Sequence, residues 1–159
     1  MKIITALAIA ATTAALASPA DAQLTASSNA PIDITGDTAE FTDNVAIWSG
    51  NVRVVQEDAI LTTDRLEAEI TEDGDFDQIT AIGSVRYSNG KEAITGKRAV
   101  FDNVAGTIMI SENVIVTQGK QVMSAGAVTY WIETGKVKFT PAPGQRIRGV
   151  FYTESDEQS

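Results

Sequence analysis

The chain has 159 residues, with 21 acidic and 12 basic side chains, no cysteine and no histidine, for a formal net charge of −9. Without cysteine and histidine, Ser-His-Asp and Cys-His catalysis, a disulfide framework and zinc sites built on imidazole or thiolate are excluded, and the acidity argues against a nucleic-acid partner. The charge is uneven, −11 over residues 23–80 and +2 over residues 81–159, which predicts a molecule with unlike ends.

Along the chain, Met1–Ala22 reads as an export signal. Lys2 supplies the positive start, Ile3–Leu16 the apolar stretch and Ala20-Asp21-Ala22 the small-x-small cleavage site. The apolar stretch is shorter than the ~20 residues a spanning helix needs. Residues 23–30 are polar and small, a flexible leader, and the folded domain is expected over residues 31–153. Ile32-Asp33-Ile34 alternates apolar and polar as a half-buried strand does, and Thr38–Phe41 and Ala46–Trp48 are further short strands.

Next comes a degenerate 19-residue pattern, present three times without a gap: Gly50–Ala68, Gly83–Phe101 and Glu112–Tyr130. Val52, Val85 and Val114 share one column; Val54, Tyr87 and Val116 a second; Leu61, Ile94 and Met123 a third. Leu66, Ala99 and Val128 form the fourth, and Ala68, Phe101 and Tyr130 the fifth. Self-similarity of this kind means stacked supersecondary units. Each copy reads as two short alternating strands joined by a polar turn, at Gln56-Glu57-Asp58, Asn89-Gly90 and Gln118-Gly119-Lys120. Asn89-Gly90 predicts a two-residue type I′ hairpin. Further turns fall at Glu72–Asp75 and Asp102–Gly106, and Pro141–Gly144 ends the repeat region. Arg146–Thr153 predicts one last strand, and residues 154–159 are an acidic tail expected to be disordered. No stretch of ten residues has a helical period, so the fold class is all-β with roughly a dozen or more short strands.

Chemistry-bearing motifs are weak. Asp73, Asp75 and Asp77 mimic the start of a calcium loop, but Gln78 stands where the turn requires glycine and Ser84 where a bidentate glutamate is needed. That run reads as a solvated turn. No carboxylate pair stands out for glycoside hydrolysis, no glycine-rich loop cradles phosphate, and Lys97-Arg98 reads as a solvated basic pair. The sequence therefore calls for no enzyme, no catalytic residue, no cofactor and no metal. The apolar columns are the stronger signal. By default they build a filled core, but their mixed sizes (Ala68 aligns with Phe101 and Tyr130) also suit a hollow interior. A stack of equivalent strand pairs leaves unpaired edges at both ends, open to strand addition.

Several segments resemble the LptA/OstA-like family of periplasmic lipopolysaccharide transport proteins. They are Pro31-Ile32-Asp33-Ile34, the block from Trp48 to Gln56, its second version Asn113–Gly119, and the returns Ile94–Phe101 and Val128-Thr129-Tyr130. The chain departs from the family pattern at Ala68 and Ala99, where larger apolar residues are usual. The resemblance implies a hollow β-jellyroll of two facing antiparallel sheets with open ends, shielding the acyl chains of lipopolysaccharide. It also implies end-to-end self-stacking, with an inner-membrane-anchored subunit of the same fold on one side and the periplasmic domain of an outer-membrane translocon on the other. With the export signal cleaved, the chain fits the middle carrier in the periplasm. The lipid-contacting floor is then expected to be Ile32, Ile34, Val52, Val54, Leu61, Leu66, Val85, Tyr87, Ile94, Phe101, Val114, Val116, Val128 and Tyr130. Lys136, Lys138, Arg146 and Arg148, near the C-terminal edge, are candidates for contact with the acidic end of the next subunit. Keeping that edge in solution and binding lipid phosphate are the alternative roles. Two rival readings are a structural β-repeat protein that polymerises through its edges without lipid, and a periplasmic hydrolase or sugar-binding module. The last has little aromatic supply, since Trp48 and Trp131 are the only indoles.

Overall fold

The computed structural model describes residues 30–153. The expected export signal, the leader up to residue 29 and the acidic tail lie outside the described residues. Ten strands follow one another: β1 Asp33–Thr35, β2 Thr38–Phe41, β3 Val45–Gln56, β4 Ala59–Ile70, β5 Phe76–Ser88, β6 Glu92–Asp102, β7 Thr107–Gln118, β8 Gln121–Trp131, β9 Val137–Thr140 and β10 Arg148–Val150. All pair antiparallel in one sheet of order β1-β3-β4-β5-β6-β7-β8-β10, with β2 also on β3 and β9 also on β8. No helix occurs among the described residues.

The expected short strand pairs are in fact long strands, each bent in the middle. β3 to β8 run for 11 to 13 residues. Their pairing slips at one level all the way across, between Ser49 and Val52, Thr62 and Arg65, Ile82 and Val85, Thr95 and Arg98, and Ser111 and Val114. At three of these slips two consecutive residues take a left-handed backbone: Gly50-Asn51 (φ 78° and 47°), Gly83-Ser84 (82° and 46°) and Glu112-Asn113 (68° and 55°). Such a pair is a bulge that turns the strand without ending it. These are the first two residues of each 19-residue copy, so what reads as a strand boundary is a fold line.

The bulge at Gly83 is held from the neighbouring strand. The buried hydroxyl of Thr63 lies 3.0 Å from the Ile82 carbonyl and 2.9 Å from that of Gly83, so its one proton serves carbonyls that have lost ladder partners. At Gly50 the same office falls to Asp37, whose N–H donates to the Gly50 carbonyl (2.8 Å) and whose carboxylate accepts from the Asn51 amide (2.9 Å).

The fold line divides the sheet into two layers. The first holds β1, the later halves of β3, β5 and β7, the earlier halves of β4, β6 and β8, and β10. The second holds β2, the remaining halves and β9. Side chains alternate across a strand, so each layer presents apolar rows to the other. In the first layer one row runs Ile34–Val54–Leu61–Tyr87–Ile94–Val116–Met123 through consecutive cross-strand pairs. The second layer answers with Trp48–Leu66–Ala81–Ala99–Ile110–Val128–Phe139. Residues of both rows join one core cluster, so the layers face each other. The largest fully buried side chains, Val52, Leu66, Val85 and Val114, each 1% exposed, lie at or beside the fold line; burying each of these side chains contributes about 1.5–3 kcal/mol.

One expected turn is different. Only Gly90 has positive φ, not Asn89, and type I′ needs both. Residues 89–91 form a three-residue loop in which the Asn89 side chain accepts from the N–H groups of Lys91 and Glu92, both at 3.0 Å. The remaining turns fall where expected, and the last strand shortens to β10.

Candidate functional site

Between the layers lies a cavity of ≈ 480 Å³. From the first layer Ile34 (β1), Val54 (β3), Ala59 and Leu61 (β4) and Tyr87 (β5) line it, with Ile32 just ahead of β1. From the second layer come Leu66 (β4), Phe76, Ile79 and Ala81 (β5), Ala99 and Phe101 (β6), and Ile108 and Ile110 (β7). Its polar lining residues are Gln56, Asp75 and Asn103, at the strand tips farthest from the fold line, next to Ala30. The walls are therefore apolar and the rim polar, the arrangement of a site for a greasy guest with a hydrated end. Gln56 also donates to the Ala30 carbonyl at 3.2 Å, tying the approach to β1 across this rim.

The space exists because small residues sit side by side. Ala81 and Ala99 are direct cross-strand partners at the middle of the second-layer row, flanked by Leu66 and Ile110. A bulkier pair would meet the first layer and fill the gap. Farther along the same rows, Ile94, Val116, Val128 and Phe139 close up against the cluster, and none of them lines the cavity. The cavity thus lies toward β1, and these four residues pack against the core farther toward β9 and β10.

Two ionisable groups are displaced. Burial first, and then the neighbouring Glu92 carboxylate, push the Tyr87 phenol up to about 12, with Asn89 acting in the opposite sense and Tyr130 adding to the rise. Burial holds the Glu92 carboxyl above its ordinary value. Among the described residues no group of three or more acidic side chains could hold a metal ion.

Residues 33–136 match the family described as LptA/(LptD N-terminal domain) LPS transport protein. The chain belongs to this family. Among solved structures, its fold is similar to that of LptH from Pseudomonas aeruginosa, described as the LptA-homologous periplasmic component of the conserved lipopolysaccharide transport device. The TM-score is 0.65 at 20% identity, covering 78% of this chain and 96% of LptH. Among curated proteins, none matches the chain.

The residues anticipated for an LptA-like floor fall into four places. Ile32, Ile34, Val54, Leu61, Leu66, Tyr87 and Phe101 line the cavity. Val52, Val85 and Val114 sit at the fold line, packed on all sides. Ile94, Val116 and Val128 belong to the packed part of the trough, and Tyr130 is buried in the outer second-layer row beside Ile108. Lys138 and Arg148 stand exposed on the edge strands β9 and β10, with Lys136 and Arg146 just before each. The Lys136 ammonium lies 5.1 Å from the centre of the Trp131 ring, a cation–π contact. Sequence reasoning missed Ala59, Ala81, Ala99, Phe76, Ile79, Ile108 and Ile110. The strict alternation Ile108-Met109-Ile110 was the available signal for the last pair, with Met109 left exposed on the outer face.

Proposed function

We propose that this chain is a periplasmic carrier that holds lipopolysaccharide acyl chains between its two layers and stacks end to end to pass them on. The observation that carries this reading is the unfilled apolar cavity between facing rows, polar only at its rim. A chain of a dozen carbons exposed to water costs on the order of 10 kcal/mol, at ~0.8 kcal/mol per methylene. A carrier has to offset that at every step, while leaving phosphates and sugars in solvent beyond the tips. Since an apolar cavity of ~150 Å³ holds one benzene, a space of ≈ 480 Å³ takes one long acyl chain. A lipid with several chains then requires the tips to part, and the layers are covalently continuous only at the fold line. No nucleotide-binding loop is present in the sequence, so the drive comes from a partner. In this reading the export signal at residues 1–22 delivers the chain, an anchored subunit of the same fold loads it, and an outer-membrane translocon's periplasmic domain unloads it.

A photo-activated cross-linker tests the reading directly. Placed at Val54, on the cavity wall, it should capture lipopolysaccharide. Placed at the adjacent Arg53, exposed on the outer face, it should not. Equal capture at both positions would overturn the trough assignment and leave the edge-polymerising, lipid-free repeat as the better account.

A further inference from the structure

Among the described residues, eighteen line the cavity; Asp75 is the one charged side chain in that set, and neither lysine nor arginine belongs to it. Asp75 closes the turn between β4 and β5, is exposed, and is followed at once by Phe76, which lines the same wall. The turn holds its backbone in place: the Thr71 N–H donates to the Asp75 carbonyl at 2.8 Å, and the Asp75 N–H donates to the Thr71 hydroxyl at 3.2 Å. The neighbouring tip of the same layer is tied to this one, since the Asn103 N–H donates to the Asp77 carbonyl at 2.9 Å. Gln56 stands on a tip of the facing layer. The mouth therefore holds one carboxylate and two amides. The adjoining turns add Asp58 on the first layer and Glu72 and Asp73 on the second, all exposed.

Proteins commonly meet phosphate and carboxylate groups with arginine, lysine or backbone N–H groups. The lining side chains offer no cation here, so an anionic head seated at this mouth comes to rest beside Asp75 in a field of its own sign. A cationic head, or an uncharged one whose hydroxyl or N–H groups donate, finds an acceptor there instead. We propose that Asp75 sorts guests by the charge of the head. It favours an acyl chain ending in an ammonium or an uncharged hydrogen-bond donor, and disfavours one ending in a phosphate or carboxylate. The assignment rests on the reading of the trough as an acyl-chain site, and adds to it the end chemistry that the mouth accepts. Selection of this kind works by a repulsive element against the wrong guest as much as by attraction of the right one. It also orients a phosphorylated glycolipid: the sugar hydroxyls sit at Asp75, and the phosphates stay away from this mouth, in solvent.

The test compares dodecylammonium with dodecanoate, probes of matched length and opposite head charge, by calorimetric titration of the full chain at low salt and below the micelle concentration of each. The wild type should bind the ammonium about tenfold more tightly, as expected for reversing one unit charge beside a carboxylate near the surface. Asp75→Asn, which keeps the shape of the side chain, should bring the ratio of the two affinities down to about two. Glu69→Gln removes an exposed carboxylate from the outer face of β4 and changes the net charge by the same amount, yet should leave the ratio as it is. Because the readout is a ratio within one variant, a general loss of folded protein does not imitate this result. Equal affinities in the wild type, or equal shifts from the two substitutions, would overturn the sorting by Asp75 while leaving the acyl-chain trough intact. Absence of binding by either probe would overturn both.

Discussion

At the scale of single residues, Tyr87 and Glu92 tie stability to pH. The Tyr87 phenol, pushed by burial from 10.0 to about 12, holds its proton more tightly in the folded chain than in the unfolded one. Its contribution is therefore complete below pH 10 and is lost as the pH climbs through 12. Thermal denaturation midpoints of the wild type should fall more steeply over that interval than those of Tyr87→Phe; parallel slopes would argue that the phenol is not buried. Glu92 has the same sign, since burial raises its carboxyl as well. The folded chain favours the neutral acid, so this group's contribution to stability is greatest at low pH and is lost as that carboxyl ionises. Glu92→Gln should flatten this decline. Alanine positions matter for the opposite reason, because what they lack makes the site. Ala99→Leu, at a position 9% exposed beside Ala81, adds three carbons facing the cavity. It should weaken acyl-chain binding about tenfold or more while keeping or raising the denaturation midpoint, because it fills space without displacing a packed neighbour. Unchanged affinity would mean that the guest does not pass Ala99.

At the scale of the element, the decisive device is the bent strand. Gly83 adopts φ +82°, and a side chain there would run into the Asp64 carboxylate, whereas Gly90, at φ +83° in its loop, faces open space. Gly83→Val should therefore cost about 3 kcal/mol or more in urea unfolding, from backbone strain and collision together, against about 1 kcal/mol for Gly90→Ala, which meets strain alone. Similar losses at both sites would show that the bend is not held by its neighbours. The bends also mark how far the sequence could be read. The columns Val54/Tyr87/Val116 and Leu61/Ile94/Met123 were visible as separate sets. In the sheet they interleave into one row, because each hairpin places Val54 against Leu61 and Tyr87 against Ile94. The inward-facing residues of the first layer were thus legible from alternation alone. Strand length was not, since a left-handed Gly-Asn or Gly-Ser pair looks the same in sequence whether it ends a strand or folds it. The repeating unit in space runs from bend to bend, so Ile108 and Ile110 fell between copies. Ala81 escaped notice, and Ala99, although aligned with Leu66 and Val128, was left out of the floor, because a pattern search weighs apolar bulk and a cavity is written in its absence.

At the scale of the whole molecule, the uneven charge becomes geometry. The edge formed by β1 and β2 carries Asp33 and Glu40, with Asp37 and Asp43 beside them, all exposed. The edge formed by β9 and β10 carries Lys138 and Arg148, with Lys136 and Arg146. Seven strand spacings separate the two edges in the first layer, on the order of 30 Å, several times the ~8 Å Debye length at physiological salt. Each end therefore presents its own sign to an approaching molecule. The Arg65–Glu67 ion pair involves none of these edge charges. Both edges also expose apolar side chains, Ile32 and Phe41 on one and Val137, Val150 and Phe151 on the other, alongside unpaired strand edges. A head-to-tail contact joins unlike charges and continues the apolar rows from one molecule into the next; a head-to-head contact opposes like charges. Lys138→Glu combined with Arg148→Glu should abolish self-association in sedimentation at low salt, with the monomer's denaturation midpoint unchanged. A separate chain carrying Asp33→Lys and Glu40→Lys should likewise stay monomeric. Mixed together, the two variants should co-assemble into alternating stacks, because the first variant's acidic β1 edge meets the second's basic β9 edge and the first's reversed β9 edge meets the second's reversed β1 edge. Association of either variant alone, or wild-type association indifferent to salt, would mean that backbone pairing rather than charge selects the contact.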